Sequence, residues 1–160
     1  MRIAANEKIR TRRIELGLND VITAQQAGLS KMNYFDIELH PDEIYTVTDL
    51  WQVKKLVDVL ELDFLDLFDI QCTFCNGKEG FLNDYLLPRN EIIQKKRKSL
   101  NLSQEELGVR VGFYEIAIIE MEREPDFLES WSIELINDLA NIIKVPLQIL
   151  LHVKCSKCGR

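Results

Sequence analysis

The feature that most constrains the fold of this chain is a short cysteine motif that occurs twice. The stretch "CTFC" runs from Cys72 to Cys75 and "CSKC" runs from Cys155 to Cys158, and the chain has no other cysteine. The two motifs lie 83 residues apart, far more than the spacing within a local zinc ribbon. Another property of the sequence must therefore explain how the motifs could meet.

That property is an internal duplication, which is the first thing to look for in a sequence with a repeated motif. When the chain is shifted by 84 residues, ten of the 37 positions from 6 to 42 are identical, Gly28 and Gly112 among them. After one deleted residue the offset is 83, and each cysteine of the first motif aligns with one of the second. We predict two modules, at residues 1–75 and 88–160, joined by a linker at 76–87.

Both modules are predicted to be all-α, with five helices each. In the first module we expect helices at about 5–16, 20–27, 30–39, 48–60 and 64–70. In the second, Ser103 and Glu106 have the spacing of a capping box, which marks the start of a helix. Gly112 suits a tight turn, and Pro125 prevents the third helix from continuing.

Two stretches carry a resemblance to a known family. "LNLSQEELGVRVGFYEIAIIEMERE" (100–124) and its weaker copy "LGLNDVITAQQAGLSKMNYFDIELH" (16–40) resemble the XRE family of helix-turn-helix domains, the lambdoid-repressor type. The resemblance implies two tandem helix-turn-helix modules in a pseudo-twofold arrangement. It also implies that an Arg on the first helix pairs with a Glu at the end of the third, as a structural tie. The matching pairs are Arg13 with Glu38 and Arg97 with Glu122.

The family resemblance implies binding to double-stranded DNA, with the third helix of each module in the major groove. On this reading the chain is a transcriptional regulator that binds DNA as a single-chain pseudo-dimer. Gln104 matches the family's phosphate-contacting Gln, whereas its counterpart Asp20 would repel phosphate. The basic residues of the first helices indicate either phosphate clamps or a solvated helix face. The residues expected to contact DNA are Lys31, Asn33, Gln104, Lys95 and Lys96.

The third helices also depart from the family, since their outward positions are mostly apolar or acidic and not base-reading. An apolar outward face indicates a protein interface, contact with the groove, or scattered surface residues. The residues expected at such an interface are Met32, Phe35, Phe113, Tyr114, Ile116 and Ile119. The alternative function is therefore a protein-binding module such as an immunity protein, an antitoxin or a regulator's partner. A net charge of −6 favours a basic target.

The cysteines predict a structural zinc site. Four thiolates suit tetrahedral Zn²⁺, so we expect one ion bound by Cys72, Cys75, Cys155 and Cys158 that links the two modules. A thioredoxin-like redox motif, incidental thiols or disulfides, a zinc shared between two chains, and two incomplete sites remain alternatives. His152 is close enough in sequence to replace one ligand.

The remaining expectations concern location and catalysis. The charged N-terminal stretch and the lack of a long apolar run predict a cytoplasmic protein with no membrane contact. In that compartment thiols stay reduced, which favours metal binding over disulfides. No Gly-rich phosphate loop, metallohydrolase motif or nucleophile–base set is evident, so we expect neither an enzyme nor a small-molecule substrate.

Overall fold

The computed structural model describes residues 3–76 and 85–160, and within these ranges the protein is all-α, as predicted. Twelve α-helices and one 3-10 turn account for the regular structure of the described chain, which contains no strand. None of these helices is both long enough and apolar enough to cross a lipid bilayer. The helices are α1 (Ala5–Glu15), α2 (Asp20–Ala27), α3 (Lys31–Leu39), α4 (Glu43–Thr46), α5 (Leu50–Val59), α6 (Phe64–Leu67), α7 (Thr73–Asn76), α8 (Arg89–Ser99), α9 (Gln104–Val111), α10 (Glu115–Arg123), α11 (Ile133–Ile143) and α12 (Leu147–Leu151).

The helix ends follow the local chemistry of the sequence. Ser103 and Glu106 form the predicted capping box, with the Ser103 hydroxyl accepting a hydrogen bond from the backbone N–H of Glu106 at 3.0 Å. Gly28 and Gly112 end α2 and α9 in the left-handed conformation, with φ of 73° and 80°. Such a conformation strains residues that carry a Cβ, so glycine suits both positions.

The structure differs from the predicted helices at four places, one of which is the unpredicted short helix α7 (Thr73–Asn76). The helix predicted at 64–70 ends at Leu67, because the chain turns at Asp69 with φ of 53° and Ile70 donates back to the carbonyl of Leu65 at 2.8 Å. The short helix α4 was not predicted, and neither was the 3-10 turn at Phe127–Ser130. Both lie in the segment that follows the proline after the third helix of each repeat.

The last three residues of the predicted linker, 85–87, differ in their burial. Tyr85 is buried, whereas Leu86 and Leu87 are exposed, so the apolar character of this stretch does not translate uniformly into burial. The remainder of the linker, residues 77–84, lies outside the described residues.

Both repeats contribute to one continuous core. Ile9 and Leu56 from the first repeat and Ile93 and Leu139 from the second are fully buried members of the same apolar cluster. Helix α4 packs against α11, and α5 packs against the 3-10 turn at Phe127–Ser130. Burial of apolar surface therefore joins the repeats as well as stabilising each of them.

Polar contacts add to the junction between the repeats. Asp49 and Ser132 form an isolated antiparallel bridge, and the backbone N–H of Leu50 donates to the carbonyl of Trp131 at 2.9 Å. The Lys54 ammonium contacts a Glu129 carboxylate oxygen at 2.6 Å. These contacts fix α5 against the 3-10 turn and the residues that precede α11.

Candidate metal centre and exposed helix faces

The four cysteines follow the last apolar helix of each repeat. Cys72 directly precedes α7, which contains Cys75, whereas Cys155 and Cys158 lie in the turn after α12. Cys72 and Cys155 are buried together against Leu65. The apolar helices α6 and α12 therefore position the inner cysteine of each motif beside the inner cysteine of the other.

The sulfur atoms have the spacing of a tetrahedral metal site. All four lie within 4.8 Å of one another. The Sγ atoms of Cys72 and Cys158 are 3.7 Å apart, and those of Cys75 and Cys155 are 3.8 Å apart. A tetrahedral zinc ion with Zn–S bonds of about 2.3 Å separates its sulfur ligands by about 3.8 Å. The four cysteines are free thiols, at distances far longer than a disulfide bond, and they fit a single Zn²⁺.

The backbone supports the thiolate form of the first motif. The N–H of Cys75 donates to the Cys72 sulfur at 3.4 Å. In the second motif the turn is closed by the N–H of Gly159, which donates to the carbonyl of Cys155 at 2.8 Å. Gly159 has φ of 72°, so the small residue that the sequence places after Cys158 allows this tight closure.

Two of the four thiols have opposite pKa shifts. Burial raises the pKa of Cys72, but hydrogen bonds from the Cys75 N–H and from the neighbouring thiols outweigh it and lower this pKa to about 7. Hydrogen bonding to Cys72 raises the pKa of Cys75 to about 12. The hydrogen bonds that favour the thiolate of Cys72 thus favour the thiol of Cys75. If all four sulfurs were thiolates at these distances, a bound cation would offset their mutual repulsion.

Gln148 holds the first motif to the last helix of the second repeat. Its side chain is buried, and its Oε1 accepts a hydrogen bond from the Thr73 N–H at 2.7 Å. Its Nε2 donates to the carbonyls of Val153 and Arg160, at 3.3 and 3.2 Å. Sequence reasoning missed this residue, although an amide within the apolar stretch "LQILL" was an available signal.

Asp63, in the first repeat, holds the second cysteine motif. It caps α6 by accepting from the Asp66 N–H at 2.9 Å, and it also accepts hydrogen bonds from Ser156. Burial raises the pKa of Asp63, but these hydrogen bonds outweigh it and leave the pKa below its usual value. Thr73 and Ser156 occupy the same position in the two motifs. Each motif is therefore held by the last helix of the other repeat.

His152 is not part of the metal cluster. Among the described residues, the group at ligand distance consists of the four cysteines alone. His152 ends α12 and lines a cavity beside the cluster together with Lys54. Burial and the nearby charges of Arg89 and Lys54 lower its pKa.

The predicted Arg–Glu pairs lie in direct contact. Arg13 donates to both carboxylate oxygens of Glu38, at 2.6 and 2.9 Å, and Arg97 does the same to Glu122, at 2.5 and 2.9 Å. The second pair is the more deeply buried. Tyr34 adds a hydrogen bond to Glu38 at 2.7 Å in the first repeat.

The predicted DNA-contact residues are distributed unevenly. Lys31 and Asn33 are exposed at the start of α3, and Lys95 is exposed on α8. The Gln104 amide donates to Glu122 at 2.9 Å, so it joins the second Arg–Glu pair. The Lys96 ammonium lies 5.5 Å from the centre of the Tyr85 ring. Gln104 and Lys96 thus already contact other parts of the chain.

Most of the predicted interface residues are strongly exposed. Tyr114 is 84% exposed, Met32 67% and Ile116 61%, and Phe35 is exposed as well. Ile119 is half-buried. Val109 on α9 is also exposed and was missed, because the expectation was drawn from α10 and the turn before it.

Phe113 has a different environment from its neighbours. It is half-buried, and its ring stacks on Trp131 with the ring centres 4.4 Å apart. Trp131 is itself buried next to the Asp49–Ser132 bridge. Phe113 therefore links the turn between α9 and α10 to the junction between the repeats.

Comparison with models of known protein families, with curated proteins and with solved structures gave no match to this chain.

Proposed function

We propose that this chain consists of two fused helix-turn-helix repeats of the XRE type, related by a pseudo-twofold axis. The Asp49–Ser132 bridge supports the axis, because two residues one repeat length apart pair with each other. An antiparallel pair of equivalent positions is the arrangement that a local twofold axis produces. Thr73 and Ser156, which occupy equivalent positions, each bond to the other repeat, which supports the same relation.

The proposed cofactor is one structural Zn²⁺ held by Cys72, Cys75, Cys155 and Cys158. The donor set and the sulfur spacing support this assignment. When bound, the ion would neutralise the thiolates and join the ends of the two repeats. A four-thiolate site leaves no open position for water, so the role proposed for it is structural and not catalytic.

The proposed function is binding to a protein partner. The observation that carries it is the exposure of large apolar side chains at equivalent outward positions of α3 and α10, Met32 and Ile116 foremost. Such side chains cannot form the bidentate hydrogen bonds that read bases. Clustered exposed apolar residues are typical of protein interfaces, and exposed Tyr114 is of a type enriched there.

Charge favours a partner with a basic surface. Glu105 and Glu115 are exposed on the α9–α10 face, beside the apolar residues Val109 and Ile116. The chain as a whole carries a net charge of −6. Opposite charge at the rim of an interface accelerates association and excludes other acidic proteins. An immunity protein, an antitoxin or the partner of a regulator would have these properties.

A transcriptional regulator that binds double-stranded DNA is the second candidate. It is favoured by one specific observation: Lys31 and Asn33 are exposed at the start of α3, the helix that enters the major groove in the family. Both residue types can contact bases or phosphates. The α10 face offers Glu115 at the position equivalent to Lys31, which would repel phosphate.

Two binding measurements separate the candidates. The chain is titrated with fragments of genomic DNA at about 50 and about 200 mM salt, where phosphate contacts predict a steep loss of affinity. Tagged chain is also purified from its source cells as wild type and as Ile116→Ser. Ile14→Ser is the control, because Ile14 is exposed to the same degree but lies on α1.

The protein-binding proposal expects no DNA binding at either salt concentration. It also expects a co-purifying protein with a basic surface that is lost with Ile116→Ser and kept with Ile14→Ser. A different result would favour the transcriptional regulator: DNA binding that weakens with salt and is abolished by Lys31→Glu, without any co-purifying protein. If both variants retain the partner equally, α10 is not part of the interface.

A further inference from the structure

Two of the four thiols in the candidate metal centre are open to solvent, and they belong to different repeats. Cys75 and Cys158 are exposed, whereas Cys72 and Cys155 are buried. A small oxidant in solution can therefore reach one thiol of each motif while the chain remains folded. Cysteine oxidation selects for exposure and thiolate character, and metal-bound thiols have the latter.

Two close sulfur contacts cross from one repeat to the other. Exposed Cys158 lies 3.7 Å from buried Cys72, and exposed Cys75 lies 3.8 Å from buried Cys155. An oxidised thiol condenses with a thiol in reach to give a disulfide. Each exposed thiol thus has a buried partner from the other repeat already in van der Waals contact.

We propose that peroxide converts this centre into two cross-repeat disulfides, Cys72–Cys158 and Cys75–Cys155, with release of the metal. The inference rests on the proposed zinc-bound state. For each disulfide, peroxide takes two electrons from a pair of thiolates, an S–S bond forms, the O–O bond breaks, and two protons from solvent complete two water molecules. Two peroxide molecules therefore oxidise all four thiolates, and the ion leaves as Zn²⁺ because it has lost its ligands.

The predicted consequence is that oxidation changes the link between the repeats without separating them. The repeats are also joined near Asp49 and Ser132, by the Leu50–Trp131 hydrogen bond and the Lys54–Glu129 ion pair. Cross-repeat disulfides would hold the two cysteine motifs together in place of the metal. The chain would release its zinc yet keep α3 and α10 in position, and the link would become resistant to chelators.

The first test uses the zinc-loaded wild-type chain. Metal content is measured before treatment, then two equivalents of hydrogen peroxide are added and released zinc is followed with a colorimetric chelator. Disulfides are mapped by mass spectrometry of unreduced tryptic peptides. We expect about one zinc released per chain and peptides that link Cys72 to Cys158 and Cys75 to Cys155. Disulfides within each motif, or zinc retained after peroxide, would overturn the inference.

Matched double variants test the pairing without any metal. Cys75→Ser with Cys155→Ser leaves the cross-repeat pair Cys72 and Cys158, whereas Cys155→Ser with Cys158→Ser leaves the pair within the first motif. Circular dichroism checks that both variants keep their helical content. The cross-repeat pair should form its disulfide several-fold faster under peroxide, and equal or reversed rates would contradict the proposed pairing.

The two tests also keep this inference separate from the proposed function. A reduced wild-type chain that contains no zinc would refute the metal centre, while the double variants would still report on the pairing. Loss of the protein partner with Ile116→Ser concerns the α10 face alone and leaves both oxidation experiments unaffected.

Discussion

Asp49 and Ser132 pair with each other across the junction of the repeats, and they occupy equivalent positions in the alignment of the two repeats. Each residue precedes an equivalent helix, α5 in one repeat and α11 in the other. The junction is thus built from the same segment used twice. The four cysteines also join the two repeats, and their chemistry gives the first prediction.

Replacing Cys155 by Ser should abolish metal binding and lower thermal stability. The variant removes one buried thiolate from the four-sulfur cluster, and the lost binding free energy is free energy of folding. We expect zinc content to fall from about one per chain to near zero by elemental analysis. For a chain of this size, each kcal/mol of lost stability lowers the melting temperature by about 2–4 °C.

Ser156→Ala is the matched control in the same motif. It removes the side-chain hydrogen bond to Asp63 but leaves the backbone hydrogen bond and all four cysteines in place. Zinc content should stay near one per chain. A Cys155→Ser variant that melts at the wild-type temperature would show that the metal does not stabilise the fold.

The two Arg–Glu pairs should differ in their contribution to stability. Arg97→Met leaves the deeply buried Glu122 carboxylate without its cation, which costs about 3–5 kcal/mol at a buried site. Each carboxylate keeps one other side-chain hydrogen bond, from Tyr34 to Glu38 and from Gln104 to Glu122. Arg13→Met should cost clearly less, because Glu38 is more exposed than Glu122. Urea unfolding at pH 7 measures both, and equal losses would show that burial does not decide the effect.

The Arg97–Glu122 pair predicts that the protein loses stability in acid. Burial raises the pKa of Glu122, but hydrogen bonds from Arg97 and Gln104 and the charge of Arg97 outweigh it, so this pKa lies below its usual value. The unfolded chain therefore binds this proton more readily than the folded chain. The stabilisation is present above the unfolded pKa of about 4.3 and is lost as pH falls through the folded pKa.

In the Glu122→Gln variant the free energy of unfolding should depend less on pH than in the wild type. Unfolding free energies of wild type and variant are compared between about pH 6 and pH 3, a range that spans the unfolded pKa of a glutamate. The gap between the two proteins should narrow as pH falls. A constant gap would mean that Glu122 has the same pKa in the folded and unfolded chains.

Several parts of this architecture could be predicted from the sequence because they depend on local patterns or on the repeat. The capping box at Ser103 and the turn at Gly112 are local, and the alignment of the two cysteine motifs follows from the duplication. The roles of Gln148 and Phe113 could not be predicted in the same way. Their partners Thr73 and Trp131 are brought close only by tertiary packing.

The equivalent glycines at the ends of α2 and α9 should respond differently to alanine. Both have positive φ, so each substitution costs roughly 1–2 kcal/mol in the backbone. At Gly112 an added Cβ meets open space, whereas at Gly28 it would lie 2.8 Å from the Trp51 ring. Gly28→Ala should therefore lose about 1–3 kcal/mol more than Gly112→Ala in urea unfolding. Equal losses would show that Trp51 moves aside without cost.

Gln148→Leu should destabilise the junction beside the cysteines. Leucine leaves the Thr73 N–H without its acceptor, and an unsatisfied buried donor costs about 1–3 kcal/mol. We also expect weaker zinc binding in competition with a chelator, because Thr73 follows Cys72 directly. Gln26→Leu is the control, since Gln26 is exposed on α2. Unchanged stability and zinc affinity in Gln148→Leu would contradict the role given to this amide.

The duplication also frees the two repeats from having identical surfaces. In a dimer of identical chains, a substitution on one subunit appears on the other, so opposite charges cannot occupy equivalent positions. In this single chain the start of α3 carries Lys31 and the equivalent start of α10 carries Glu115. Selection can therefore alter one face while the other is conserved, and a single polypeptide can acquire two different specificities on a nearly symmetric scaffold.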